Sequence, residues 1–143
     1  MKKVYRHWGV KRNHNIVLAH AARIVYHITM IYHITTAAAW QAAQQTGTYT
    51  ADSLASEGFI HCSTVMQVAG VAARFYRGVP DLVLLTLAPA QLGAEVRYEA
   101  PAEDPTSAER FPHVYGAIPV TAVVRVTPLL LAADGVPTPA TPL

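Results

Sequence analysis

The sequence predicts a small α+β domain, and three observations lead to this prediction. Apolar residues form 52% of the 143-residue chain, which is enough to build one packed core. Segments with the two-residue alternation of strands are interspersed with segments of helical periodicity. This orderly pattern begins only at Met30. We therefore expect a single domain over residues 30–131, with an N-terminal extension over residues 1–29 and a flexible, proline-rich tail over residues 132–143.

The order of the elements follows from the apolar pattern and from the residues that start and stop helices. Thr36 is placed to cap the first helix, which Gly47 ends. Thr64 and Gln67 have the spacing of a capping box before the last helix. Strands are expected over residues 31–35, 59–62, 82–88, 95–100, 111–116 and 120–131, and helices over residues 37–46, 53–57 and 65–77.

Two of these segments should supply much of the core. Residues 82–88 are nearly all apolar, which is typical of a central strand covered on both faces. The last helix carries an apolar stripe of 3.6-residue period, formed by Val65, Val68, Ala69, Ala72, Phe75 and Tyr76. Arg74 and Arg77 lie in its final turn, where the helix dipole favours cations.

Charge separates the extension from the domain. Residues 1–29 contain six of the eleven basic residues and none of the nine acidic ones, so the rest of the chain is net acidic. Nucleic acid is therefore disfavoured as a partner of the domain, because phosphate binding requires a concentrated basic face. The segment Tyr26 to Thr29 repeats as Tyr32 to Thr35, and Met30 between them is a plausible original start. The alternative is a basic arm that contacts RNA or a membrane surface.

The compartment can be inferred from what the sequence does not contain. No apolar run approaches the roughly 18 residues that a membrane helix needs, and no secretory signal pattern is present. The single cysteine, Cys62, excludes an intrachain disulfide. We expect a cytoplasmic protein without a membrane partner, and the oligomeric state stays open.

Three histidines lie in three separate strand-like segments, each two residues before a hydroxyl-bearing side chain. Side chains two positions apart share one face of a strand. The pairs are His33 with Thr35, His61 with Ser63, and His113 with Tyr115. Neighbouring strands would join them into one polar patch, which is the best candidate site. The alternative is that each imidazole only satisfies a local backbone carbonyl.

An anion site is predicted where the second strand leads into the last helix. Free backbone N–H groups at the helix start, beside Ser63 and Thr64, favour a phosphate or pyrophosphate. The alternative is that these hydroxyls serve only as helix caps. Both roles can coexist.

Other chemistries find weaker support in the sequence. Cys62 should face away from His61 on a regular strand, which argues against a cysteine–histidine nucleophile. Zinc held by the three histidines is conceivable, but no local ligand spacing supports it, so no metal is expected. Arg97 and Glu99 share the polar side of their strand, where they either orient a ligand or form an exposed ion pair.

The motifs resemble those of a known family. They are Ile31–Ile34 with Trp40, Ser53-Leu54, Glu57–Ser63, Leu82–Leu85, Glu95–Glu99 and Phe111–Gly116, and they resemble domain-of-unknown-function family 952 over about residues 30–131. The family is similar to the ADP-ribosyltransferase-like superfamily. That resemblance implies a compact split β-sheet, mixed or antiparallel, with two to three helices and a cleft for NAD.

The resemblance also implies roles for the candidate residues. The expected catalytic residues are His33, His61, His113 and Glu99, and the expected cofactor-binding residues are Thr35, Ser63, Thr64, Arg97 and Tyr115. In this hypothesis His33 and His61 contact the ribose hydroxyls of NAD, the pyrophosphate lies near Ser63, and His113 or Tyr115 closes the nicotinamide side. Glu99 would stabilise an oxocarbenium-like transition state.

We therefore expect a small domain that binds NAD or another small, nucleotide-like ligand and acts as a transferase of this superfamily. Two alternatives stay open. One is a non-catalytic ligand-binding or protein-interaction module with the same fold. The other is a hydrolase that uses a histidine-bound metal.

Overall fold

The computed structural model describes residues 30–143, so the N-terminal extension and its half of the repeated segment lie outside the described residues. The secondary structure alternates between strands and short helices, as the periodicity predicts. The strands are β1 (Ile31–Thr36), β2 (Thr48–Tyr49), β3 (Ile60–His61), β4 (Leu82–Leu87), β5 (Val96–Glu99), β6 (Phe111–Val114), β7 (Ile118–Pro119), β8 (Val123–Leu131) and β9 (Pro137–Pro139), and the helices are α1 (Ala37–Thr46), α2 (Asp52–Ser56) and α3 (Val68–Phe75).

The strands form three antiparallel sheets. The main sheet has the order β1-β4-β8-β9, a smaller sheet has the order β3-β6-β5, and β2 pairs with β7. An isolated bridge between Tyr32 and Ser63 joins the main sheet to the end of β3. The predicted α+β class with an antiparallel sheet and three helices is therefore confirmed in its coarse form.

The two faces of the main sheet carry separate parts of the core. Because side chains alternate along β1, Ile31 packs with Trp40 on one face, while Ile34 packs with Val68 and Ala72 of α3 on the other. Every residue of β4 is buried, as its continuous apolar sequence predicts. These packed faces fix the positions of the sheet edges where the polar residues lie.

Helix α1 begins and ends at the residues that the sequence indicates. The Thr36 side chain accepts a hydrogen bond from the N–H of Ala39 at 3.1 Å, and Gly47 ends the helix at a φ of 80°. Before α3, the Gln67 side chain accepts from the N–H of Thr64 at 3.0 Å, as in a capping box. The α-helical hydrogen bonding begins only at Val68, because residues 65–67 form a turn.

The stripe predicted on the last helix is only partly buried. Val68 and Ala72 are buried against the main sheet, whereas Ala69 and Phe75 are exposed. The helix ends at Phe75, and the prediction that Ala69 and Phe75 face the core is wrong. The helix is also too short for membrane passage, as is every other helix of residues 30–143.

The C-terminal segment differs from the expected flexible tail. Strand β9 pairs with β8, with Leu130 opposite Thr138. Between these strands Gly135 adopts a φ of 79°, and the Asp134 side chain accepts from the N–H of Val136 at 3.0 Å. An Asp–Gly pair of this kind favours a hairpin turn, and prolines are tolerated on an edge strand.

Candidate functional site

The register of the small sheet places three polar side chains in one row. His61 of β3 lies opposite His113 of β6, which lies opposite Arg97 of β5. On the other face, Ile60 and Val114 are fully buried in the core. Alternation along the strands therefore leaves one face of this sheet polar.

A cavity of about 500 Å³ opens beside this polar face, between the small sheet and α3. Among the side chains that line it are two imidazoles, two carboxylates, a guanidinium and an aromatic ring. We call it the histidine cleft and define it by Glu57, His61, Arg74, Phe75, Glu103 and His113. Its volume lies within the range of small-ligand sites.

His61 is the more exposed of the two imidazoles. Its Nε2 lies 3.1 Å from both carboxylate oxygens of Glu57, four residues earlier in the chain. Its ring meets the ring of His113 edge to face, with the centroids 5.2 Å apart. The two imidazoles therefore form one unit in the wall of the cleft.

His113 is held on several sides. Its Nδ1 lies 2.8 Å from Oε2 of Glu99, and the Tyr115 hydroxyl donates to the same oxygen at 2.8 Å. Phe59 stacks on its ring at 4.1 Å, with only 15° between the planes. The hydrogen bonds from His113 and Tyr115 lower the pKa of Glu99. Glu99 therefore acts on the imidazole, and it does not line the cleft itself.

Arg97 lies at the outer end of the polar row. Its guanidinium sits 4.2 Å above the Tyr115 ring and donates to Glu95 at 2.7 Å. The hydrogen bond to Glu95 raises the pKa of Arg97 and lowers that of Glu95. Arg97 thus supports Tyr115 from outside the cleft, although the sequence placed it among the cofactor-binding residues.

His33 and Thr35 lie behind the cleft. His33 Nδ1 donates to the backbone carbonyl of His61 at 2.6 Å, and its Nε2 lies 2.8 Å from the Tyr49 hydroxyl. That hydroxyl also lies 3.0 Å from Oγ1 of Thr35. Burial lowers the pKa of His33 to about 4, so the ring is neutral near pH 7.

The neutral state of His33 defines which groups donate in this series of hydrogen bonds. Because Nδ1 donates, Nε2 must accept the proton of Tyr49, whose oxygen then accepts from Thr35. Both ring nitrogens of His33 are therefore used within the protein. The structure thus removes His33 from the group of imidazoles that face the cleft, because alternation along β1 turns Tyr32 and Ile34 toward the cleft and His33 away from it.

The predicted anion site at residues 63 and 64 has few open donors. The N–H of Ser63 donates to the carbonyl of Tyr32 at 2.7 Å, and the N–H of Thr64 is taken by Gln67. Ser63 is buried but still borders the cleft. The N–H of Ser63 thus serves the bridge to β1 and that of Thr64 a capping-box contact with Gln67, and the helix-cap role of the two hydroxyls stays a prediction.

Cys62 points into the core, as the alternation of β3 predicts. Burial raises the pKa of its thiol well above the usual range, so a thiolate nucleophile is disfavoured. Within residues 30–143, no group of three or more histidine, cysteine, aspartate and glutamate side chains is arranged to hold a metal ion. The histidine-metal hydrolase also requires His33, whose nitrogens are occupied.

Four of the six residues that define the cleft were not among the candidates from sequence. Glu57 follows α2, Arg74 and Phe75 end α3, and Glu103 lies in the loop after β5. Arg74 pairs with Glu103 at 3.3 Å across the cleft. The sequence offered one signal for this placement, since Glu57 stands four residues before His61. The other three belong to a helix end and a loop whose direction only the fold defines.

Comparison with known proteins identifies the family. The family described as "Protein of unknown function (DUF952)" matches residues 34–126. The chain belongs to the DUF952 family. This confirms the family resemblance that the motifs indicate, and the match spans the histidine cleft and the polar row of the small sheet.

Solved structures of a similar protein resemble this fold. The crystal structure of protein CC0527 from Caulobacter crescentus is 38% identical, with a TM-score of 0.69, and covers 77% of this chain and 94% of its own. The solution NMR structure of CC0527 is 38% identical, with a TM-score of 0.65, and covers 77% of this chain and 92% of its own. No curated protein matches the chain.

Proposed function

We propose that the histidine cleft binds NAD or an ADP-ribose-like nucleotide, and that the domain acts as a transferase of the ADP-ribosyltransferase-like superfamily. The observation that carries this proposal is the meeting of two imidazoles, an arginine and an exposed aromatic ring around one cavity of about 500 Å³. A nucleotide presents hydroxyls, phosphates and planar rings, and each has a matching group in the cleft.

The polar groups of such a ligand can be assigned to particular side chains. The imidazole of His61 suits a hydrogen bond to a ribose hydroxyl, because its ring has one nitrogen directed to Glu57 and one left over, and His113 then lies on the nicotinamide side. The guanidinium of Arg74 suits a phosphate, since it presents several donors in one plane. Phe75 is 57% exposed at the cleft and can stack on a planar ring.

The ion pair between Arg74 and Glu103 sets the condition for phosphate binding. Both side chains are about half exposed, so the pair is worth little to stability. A pyrophosphate, with one negative charge on each of its two phosphates, competes well with one carboxylate for the guanidinium. In this revised proposal the pyrophosphate binds at Arg74 instead of near Ser63, whose N–H is already used.

The superfamily assignment is supported by the same features that support the ligand. The antiparallel sheets separate beside the cleft, and His61 stands on a short strand followed by a small polar residue. The hypothesis from the family resemblance has His61 contact a ribose hydroxyl of NAD. His33 then acts indirectly, by holding the carbonyl of His61.

Calorimetric titration of the full chain with ADP-ribose and with NAD tests the proposal. We expect saturable binding, and Arg74→Gln should weaken it about tenfold by removing a charged hydrogen bond of about 1.4 kcal/mol or more. Arg125→Gln is the matched control, because Arg125 is an exposed arginine on β8 that contacts Thr141 outside the cleft. Absence of binding at millimolar ligand, or equal loss in both variants, would contradict the proposal.

A non-catalytic ligand-binding module is the second candidate. The observation that favours it is that Arg74, the guanidinium at the cleft, is already neutralised by Glu103. This candidate predicts ADP-ribose binding with no conversion of NAD to nicotinamide. Chromatographic detection of nicotinamide over many hours separates the two functions.

A further inference from the structure

We propose that His113 and Glu99 form a proton-accepting dyad that activates an oxygen nucleophile, either water or a hydroxyl group, in the histidine cleft. This inference rests on the proposed function, because the electrophile is the nucleotide bound there. His113 is the catalytic residue of the dyad. Glu99 is a positioning residue, since it acts through the imidazole and does not line the cleft.

The tautomer of His113 follows from its contact with Glu99. A carboxylate can only accept, so the Nδ1 that lies 2.8 Å from Oε2 carries the proton. The hydrogen bonds that lower the pKa of Glu99 keep this carboxyl ionised near pH 7. In the neutral ring, Nε2 then holds the free electron pair. Among the described residues, no hydrogen-bond partner engages this Nε2, and the ring borders the cleft.

The orientation of the ring is fixed from three directions. Phe59 stacks on one face, the His61 ring meets it edge-on, and Glu99 holds Nδ1. The His113 side chain is only 5% exposed, so it cannot rotate freely into solvent. A proton acceptor held in this way loses little entropy when a nucleophile binds.

Tyr115 completes the arrangement by holding the carboxylate. Its hydroxyl donates to the same Oε2 of Glu99 at 2.8 Å, and Arg97 lies over its ring. Two donors on one oxygen keep the carboxylate aimed at the imidazole. A histidine that only filled a local hydrogen-bonding need would not require an ionised partner that is itself fixed by a second side chain.

The chemical step can be written for NAD with its atoms and electrons in balance. Water or an acceptor hydroxyl gives its proton to Nε2 of His113 as its oxygen bonds to the anomeric carbon of the nicotinamide ribose. The glycosidic C–N bond breaks, and its electron pair leaves with nicotinamide. With water the products are ADP-ribose, nicotinamide and the proton. Cys62 does not compete as nucleophile, since its thiol is buried and its pKa is raised.

Turnover of NAD by the full chain, measured as released nicotinamide, tests the dyad. We expect kcat to fall about 10²- to 10⁴-fold in His113→Gln, the usual contribution of a general base. Glu99→Gln should also lower kcat strongly with little change in KM, because its amide can donate to Nδ1 and favour the wrong tautomer. Glu95→Gln is the matched control, since Glu95 contacts Arg97 on the same sheet edge and should leave kcat within about twofold of the parent.

A second measurement needs no turnover and reports the tautomer directly. Nitrogen-15 NMR of the imidazoles should show His113 protonated at Nδ1 in the parent and shifted toward the Nε2–H form in Glu99→Gln. Protonation at Nε2 in the parent, or equal kcat in Glu99→Gln and Glu95→Gln, overturns the inference. Turnover that is unchanged in Glu99→Gln overturns the inference alone. Binding of NAD without turnover overturns the inference together with the transferase activity, and absence of NAD binding overturns the whole proposed function.

Discussion

The Tyr49 hydroxyl links the two candidate side chains that lie behind the cleft, so removing it should be costly. In Tyr49→Phe, Nε2 of His33 and Oγ1 of Thr35 lose their partners at 2.8 and 3.0 Å. All three residues are buried, which leaves water little access to either atom. Each orphaned buried polar group costs about 1–3 kcal/mol, so for two such groups we expect the free energy of unfolding to fall by about 2–6 kcal/mol.

Urea unfolding followed by circular dichroism measures this loss. The midpoint should fall while the slope with denaturant stays constant, because the fold and its exposed surface do not change. Tyr98→Phe is the matched control, since Tyr98 is 53% exposed and its hydroxyl faces solvent. The control should stay within about 0.5 kcal/mol of the parent. A loss in Tyr49→Phe as small as in the control would refute the buried chain of hydrogen bonds.

Three further predictions concern stability and reactivity. Burial lowers the pKa of His33 from 6.5 to about 4, so stability should be fully present above pH 6.5 and fall toward pH 4 as the unfolded chain takes up the proton. The loss should approach about 3 kcal/mol in urea titrations and be absent in His33→Gln. Cys62 should resist a thiol reagent in native protein and react after unfolding, and fast native labelling would contradict its burial. Gly58→Ala should destabilise by about 1 kcal/mol because φ is +89°, whereas Gly70→Ala in α3 should stabilise by about 0.5–1 kcal/mol; equal thermal shifts would contradict this difference.

Local signals in the sequence were sufficient to predict the helices and strands whose ends are set by nearby residues. Helix α1 begins after Thr36 and ends at Gly47, as predicted. The N-terminal cap depends only on a hydrogen bond over three residues, and the C-terminal end only on a left-handed backbone at one residue. The apolar run of residues 82–88 predicted the central strand β4 for a similar reason, since burial on both faces leaves no polar position.

Long-range pairing explains what the sequence could not predict. The short strands β2 and β7 have too few residues for a periodic pattern, and their pairing joins segments about 70 positions apart, Thr48 with Pro119. The same limit applies to the site. Alternation correctly put His33 and Thr35 on one face of β1, but it could not say that this face meets Tyr49 and the core.

The cleft itself depends on the direction of a helix end and a loop. Arg74 follows the dipole rule for the last turn of α3, which gave no reason to assign it to a site. Phe75 fits the apolar stripe by position, yet its side chain is 57% exposed at the end of the helix. Only packing of α3 against the main sheet brings these side chains to His61.

The imidazole signals themselves provide the most direct test of the histidine cleft as a nucleotide site. Carbon-detected or proton–carbon NMR spectra of the histidine rings should be recorded while ADP-ribose is titrated into the full chain. We expect the ring signals of His61 and His113 to shift in a saturable way, with those of buried His33 nearly unchanged as an internal reference. Spectra in which neither His61 nor His113 responds to millimolar ADP-ribose would contradict the account.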